Sequence, residues 1–135
     1  MPEERPIVIV SSDPETHHLC SRALLETSVP TISVATWHAV PPLAREKHLG
    51  AVLIDVLTAA DWQGCRMLRD RLETSGVPLV ALSGWGAPDW RYRTLAWSVG
   101  CAAFIAKPCT EETVSRTIDR VTRGEVGIAV AGPGR

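Results

Sequence analysis

Gly50-Ala51-Val52-Leu53-Ile54-Asp55 is a short apolar run that ends abruptly on a carboxylate. Four consecutive apolar residues bounded by a glycine and a carboxylate read as a strand buried on both faces, the kind found inside a parallel sheet covered by helices. Asp55 then stands at the carboxyl end of that strand, the edge at which open α/β sheets place ligands and chemistry. An aspartate at a strand end also serves as a turn or helix-cap residue, so its meaning depends on what else the chain brings to that edge.

Working outward, Val77-Pro78-Leu79-Val80-Ala81-Leu82 is a second buried run, with its proline tolerated near the start, and it delivers Ser83-Gly84 to the same edge. Cys101-Ala102-Ala103-Phe104-Ile105-Ala106 is a third, closed by Lys107-Pro108. Upstream, the β-branched run Ile7-Val8-Ile9-Val10 breaks into Ser11-Ser12-Asp13-Pro14, and Thr31-Ile32-Ser33-Val34-Ala35-Thr36 alternates as a half-buried strand.

Helices are expected between these strands. The first runs from Pro14 to Glu26 with Leu19, Cys20, Ala23 and Leu24 inward, and a weak second from Pro41-Pro42 to His48 with Leu43 and Ala44 as its apolar side. After a loop over Val56 to Gly64, a third presents Cys65, Leu68 and Leu72 on one face and ends by Gly76. The fourth begins near Pro88-Asp89, shows Tyr92, Leu95, Ala96 and Val99 at helical spacing and stops at Gly100. Thr110 caps the last, whose inward positions are Val114, Ile118 and Val121 and whose stop is Gly124. Five strands alternating with five helices, (βα)5, require a flavodoxin-like, doubly wound α/β fold with a five-stranded parallel sheet. One domain spans residues 1–124, and the small, Gly-rich segment 125–135 reads as a loose tail.

The composition agrees with one globular domain: 135 residues, 45% hydrophobic and 21% charged. A net charge of −1, with 14 scattered basic residues, offers no footprint for nucleic acid or an anionic membrane. No apolar run approaches the ~18 residues of a membrane span and the acidic start is unlike a secretion signal, so the expected compartment is the cytoplasm. Cys20, Cys65, Cys101 and Cys109 lack any C-x-x-C spacing and read as buried free thiols. His17, His18, His38 and His48 form no metal-ligand pattern and are expected on helix surfaces.

In the doubly wound sheet the loops after the first, third, fourth and fifth strands converge, which brings Ser11, Ser12, Asp13, Asp55, Ser83 and Lys107 to one edge. With these motifs in this order, and with Val99-Gly100-Cys101-Ala102-Ala103-Phe104 running into Ile105-Ala106-Lys107-Pro108, the chain resembles the CheY-like receiver domains of bacterial response regulators over about Arg5 to Gly124. The resemblance implies a two-component or phosphorelay signalling protein rather than an enzyme. Asp55 matches the aspartate that accepts a phosphoryl group from a histidine kinase or phosphotransfer protein. Ser83 matches the hydroxyl that turns to the phosphoryl oxygens, Lys107 the lysine of the site, and Phe104 the aromatic that swings inward on activation. Such a domain, taken as stand-alone, signals through protein contacts.

Two departures bear on the metal. Receivers normally carry two adjacent acidic residues after the first strand to hold Mg²⁺, and here those positions are Ser11 and Ser12. Magnesium gains little from neutral hydroxyls, so Mg²⁺ is expected to bind weakly, through Asp55, the backbone carbonyl of Leu57 and Asp13, which otherwise serves as a helix cap. In the loop after Asp55, Ala59 and Ala60 stand where the family has proline, and Gly64 arrives late.

Trp85, Trp90 and Trp97 cluster around the fourth helix. The resemblance implies an output and dimerisation face there, formed by the fourth helix, fifth strand and fifth helix, with a second copy or a downstream protein as its partner. One alternative is a phosphorylation-independent pseudo-receiver acting through that face. A more distant one is a small flavodoxin-like enzyme or cofactor binder, against which stands the absence of glycine in Ser11-Ser12-Asp13-Pro14.

Overall fold

The apolar run that ends on Asp55 is a strand over Ala51–Asp55 with all five residues buried in the computed structural model. The structure describes residues 5–25, 27–71, 76–83, 89–124 and 130–131, leaving out the side chains of residues 89, 90, 92, 130 and 131. In chain order the elements are β1 (Ile7–Val10), α1 (Pro14–Leu25), β2 (Thr31–Val34), a 3-10 turn (Trp37–Ala39), α2 (Val40–Glu46), β3 (Ala51–Asp55), α3 (Ala59–Asp70), β4 (Leu79–Ser83), α4 (Asp89–Ser98), β5 (Ala103–Ala106), α5 (Glu111–Thr122) and β6 (Val130–Ala131). The strands pair in the order β2-β1-β3-β4-β5-β6, each pair parallel.

The first five strands form the flavodoxin-like doubly wound sheet that the sequence requires. The two-residue β6 adds to its edge with Val130 opposite Phe104, inside the segment that sequence reading treated as tail.

Alternation along each strand divides the core in two. Ile7, Ile9, Leu53, Val80, Leu82 and Ile105 pack under Cys20, Ala23 and Leu24 of α1 and Val114, Ile118 and Val121 of α5. Val8, Val10, Val52, Ile54, Leu79, Ala81 and Phe104 pack under Val40, Trp62, Cys65, Leu68, Ala96 and Val99 on the other face. Buried runs with no polar alternation follow directly from helices covering both faces.

Several helix expectations are corrected. α3 begins at Ala59 rather than after Gly64, because the Asp61 carboxylate accepts the amides of Leu57 (2.8 Å) and Thr58 (2.9 Å) and closes the first turn. Gly64 is therefore inside the helix, where a Cβ would stand 2.4 Å from Cδ1 of Trp37. Leu95 of α4 is 37% exposed, and Ala96 and Val99 make the core contact. Leu19 is only half-buried, while Thr16 joins the buried side of α1. α2 starts at Val40, earlier than its prolines suggest, with Val40 and Pro41 buried. Glu26, Leu72, Gly84 and Pro88 lie outside the described residues.

Candidate functional site

Parallel register sets the height of each candidate side chain. Val10 pairs with Ile54, Asp55 with Leu82, and Ser83 with Ala106, so Ser11, Asp55, Ser83 and Lys107 leave the sheet at one edge. The period of two then separates them. Asp55 follows Leu53 on the side covered by α1 and α5, whereas Ser83 follows Ala81 on the side covered by α2, α3 and α4.

Asp55 is the centre. Its side chain has 0% exposure and that of Lys107 9%, and the Lys107 ammonium pairs with Asp55 Oδ1. An ionised carboxylate without solvent persists only when charge and hydrogen bonds compensate it. Lys107 supplies the charge. The Ser11 hydroxyl donates to Asp55 Oδ2 at 2.7 Å in a fully buried contact, so both carboxylate oxygens are engaged. Ser12, the other half of the serine pair, is exposed.

Asp13 caps α1 rather than facing Asp55. Its Oδ1 accepts the Glu15 amide at 3.2 Å and its Oδ2 the Thr16 hydroxyl at 2.9 Å. The Thr16 bond, with help from the Glu15 amide and the Lys107 charge, holds the partly exposed Asp13 carboxyl below its ordinary value of 3.8.

Sequence reading missed three members of this site. Thr16 accepts from Lys107 Nζ at 3.3 Å, and the Asp13-x-x-Thr16 spacing was the available signal, since a cap and its third residue meet in space. His17 approaches the Ser11 carbonyl through Nε2, at 2.5 Å, and its buried Nδ1 has no hydrogen-bond partner among the described residues. Asp61 holds the amides that follow Asp55, and Thr58-x-x-Asp61 was its signal.

The Ser83 hydroxyl is buried and donates to the Val56 carbonyl at 2.9 Å, tying the end of β4 to the loop after Asp55. Phe104 is fully buried between β4 and the α4 side. Trp97 is 58% exposed on α4, Trp90 lies on the same helix, and Trp85 is outside the described residues.

The donor set does not fit the Mg²⁺ of a receiver. The Ser11 proton and the Lys107 ammonium already face the two Asp55 oxygens, Ser11 and Ser12 add no carboxylate, each Asp13 oxygen holds a hydrogen bond of the α1 cap, and Leu57 contributes only backbone. Among the described residues no group of three His, Cys, Asp or Glu side chains could hold a metal ion. None of their helices is long and apolar enough to cross a membrane.

No model of a protein family matches the sequence, and neither does any curated protein. Solved structures do match in fold. A response regulator from Thermotoga maritima superposes with a TM-score of 0.78 at 16% identity, covering 90% of this chain and 99% of that one. A chemotaxis response regulator of Vibrio cholerae gives 0.74 at 16% identity, covering 88% and 99%. The receiver domain of a sensor histidine kinase from Pseudomonas aeruginosa, described with a magnesium ion coordinated in its active-site cleft, gives 0.72 at 20% identity, covering 90% and 99%. The fold of this chain is thus that of CheY-like receiver domains.

Proposed function

We propose that this receiver-fold domain accepts a phosphoryl group on Asp55 from a histidine kinase or phosphotransfer protein and passes the signal on by protein contacts. The observation that carries this reading is the buried Asp55–Lys107 ion pair at the carboxyl edge of the sheet, with Ser83 one strand away. An Asp55 oxygen would attack the donor's phosphorus, forming an acyl phosphate as the bond to the donor breaks, while Lys107 offsets charge on the transferring group. Ser83, once released from the Val56 carbonyl, has a hydroxyl to offer the new oxygens. The α4–β5–α5 face is the surface for a second copy or a downstream protein, and Trp97 is exposed on α4.

Intact-mass measurement after incubation with acetyl phosphate, with and without Mg²⁺, tests this. A phosphoryl-sized gain that disappears in Asp55→Asn is the expected result. A second reading, a phosphorylation-independent interaction module, is favoured by the Ser11–Asp55 hydrogen bond, which occupies the oxygen that would otherwise be available. No mass gain in folded protein under either condition selects it.

A further inference from the structure

We infer that the Asp55 pocket is closed to divalent cations by a ring of hydrogen bonds, and that Ser11 is the residue that closes it. The inference concerns the same pocket and rests on the receiver reading only in taking Mg²⁺ as the cation excluded.

The ring can be followed atom by atom. Ser11 Oγ donates to Asp55 Oδ2 at 2.7 Å, and Lys107 Nζ donates to Asp55 Oδ1. The same ammonium donates to Thr16 Oγ1 at 3.3 Å, and Thr16 Oγ1 donates to Asp13 Oδ2 at 2.9 Å. The Asp13 amide returns to Ser11 Oγ at 2.9 Å and completes the circuit. Each hydroxyl has one proton, and here each is committed to a carboxylate while its lone pairs take a second donor.

Charge and geometry act together. Lys107 already stands as the cation beside Asp55, and Ser11 aims a hydrogen, rather than a lone pair, into the space between the first and third strands. A small dication needs oxygen ligands in near-octahedral array and gives up its waters reluctantly. To enter, it would have to break the Ser11–Asp55 bond and take Asp13 from the α1 cap, gaining one carboxylate of partial exposure in return. A carboxylate at position 11 reverses every element of this. It brings a second negative charge against Asp55, removes the donor and leaves a like-charge pair that a dication relieves.

The test is cation binding, read without any phosphoryl transfer. Mn²⁺ titration followed by the electron paramagnetic resonance of the free ion, with Mg²⁺ competition, is expected to show wild type binding roughly tenfold or more weakly than Ser11→Asp. Ser11→Ala, which removes the donor without adding charge, should bind more tightly than wild type and less tightly than Ser11→Asp, and a folded Ser11→Ala no tighter than wild type overturns the role given to the Ser11 hydrogen bond. Mn²⁺ binding by wild type equal to that of Ser11→Asp overturns the inference, and so does a folded Ser11→Asp that gains nothing. Should Ser11→Asp not fold, amide spectra of wild type decide alone: resonances of Ser11, Asp13, Asp55 and Lys107 unmoved by Mg²⁺ are expected, and a saturable shift at these positions overturns it. Failure of acetyl phosphate labelling changes none of these readouts, so the two proposals fail separately.

Discussion

Ser11 and Asp55 are 44 positions apart in the chain and share a buried hydrogen bond of 2.7 Å. The parallel register of β1 and β3, which pairs Val10 with Ile54, sets the two side chains beside each other just past the strand ends. A hydrogen bond to a charged, desolvated acceptor contributes about 1.5–3 kcal/mol. Ser11→Ala is therefore expected to lower the unfolding free energy in urea by about that amount, and by about 1 kcal/mol or less in an Asp55→Asn background, where the acceptor is neutral. An equal loss in both backgrounds would place the effect elsewhere.

Lys107 is the cation set against the buried Asp55 carboxyl group. Removing one partner of a buried pair strands the other, at a cost of about 3–5 kcal/mol. Lys107→Met should destabilise by that range in equilibrium denaturation, and adding Asp55→Asn should restore a substantial part. A double variant no more stable than Lys107→Met would argue against the pair as the source.

Gly64 lies in α3 where helix propensity favours alanine by about 1 kcal/mol. Its missing Cβ is nevertheless required, since that atom would meet Cδ1 of Trp37 at 2.4 Å. Overpacking of this kind costs about 1–3 kcal/mol, so Gly64→Ala is expected to lower the melting temperature. Trp37→Ala should convert the same substitution into a neutral or stabilising one.

The Asp13 carboxyl lies below its ordinary pKa of 3.8, foremost through the Thr16 hydroxyl. A depressed folded pKa contributes stability that is present above the unfolded value and lost as pH falls through the folded one. Carbon-detected carboxyl titration should find Asp13 shifted upward in Thr16→Val, with the acid limb of the stability profile flattened near pH 3.8 and below. An unmoved titration would assign the depression to Lys107 or the Glu15 amide.

All four cysteines are free. Burial pushes the Cys20 thiol up to about 12, a hydrogen bond with Cys101 and burial raise that of Cys65, and burial raises that of the half-buried Cys109. A disulfide reagent at mildly alkaline pH should therefore modify native protein slowly and at Cys109 first, and all four thiols only after unfolding. Fast modification of Cys20 or Cys65 in native protein would contradict the packing of α1 and α3.

Much of the fold was written in local pattern. Apolar runs such as Ala51–Asp55 and Leu79–Ser83 read as strands covered on both sides, and Thr110 with Gly124 brackets α5 as its cap and stop. The start of α3 was obscured because Ala59 and Ala60 stand where a loop proline was anticipated, and the deciding contact, Asp61 with the Leu57 and Thr58 amides, has a carboxylate shorter than the usual capping-box residue. Leu95 follows helical spacing yet is turned outward, since spacing defines a stripe without saying which edge of it meets the sheet.

Local pattern suffices for the alternating architecture and, through the strand ends, for the meeting of Ser11, Asp55, Ser83 and Lys107 at one edge. What each of them touches is set by packing in three dimensions. Ser11 and Ser12 are chemically identical neighbours just past the end of β1, yet one is buried against Asp55 and the other is exposed. Thr16 enters the site because α1 packs against β1 and α5 and its hydroxyl comes within 3.3 Å of Lys107, a residue 91 positions away. Hydrogen bonds act over about 3 Å and depend on direction, so partners this distant in sequence are selected by register and packing, which no local pattern encodes.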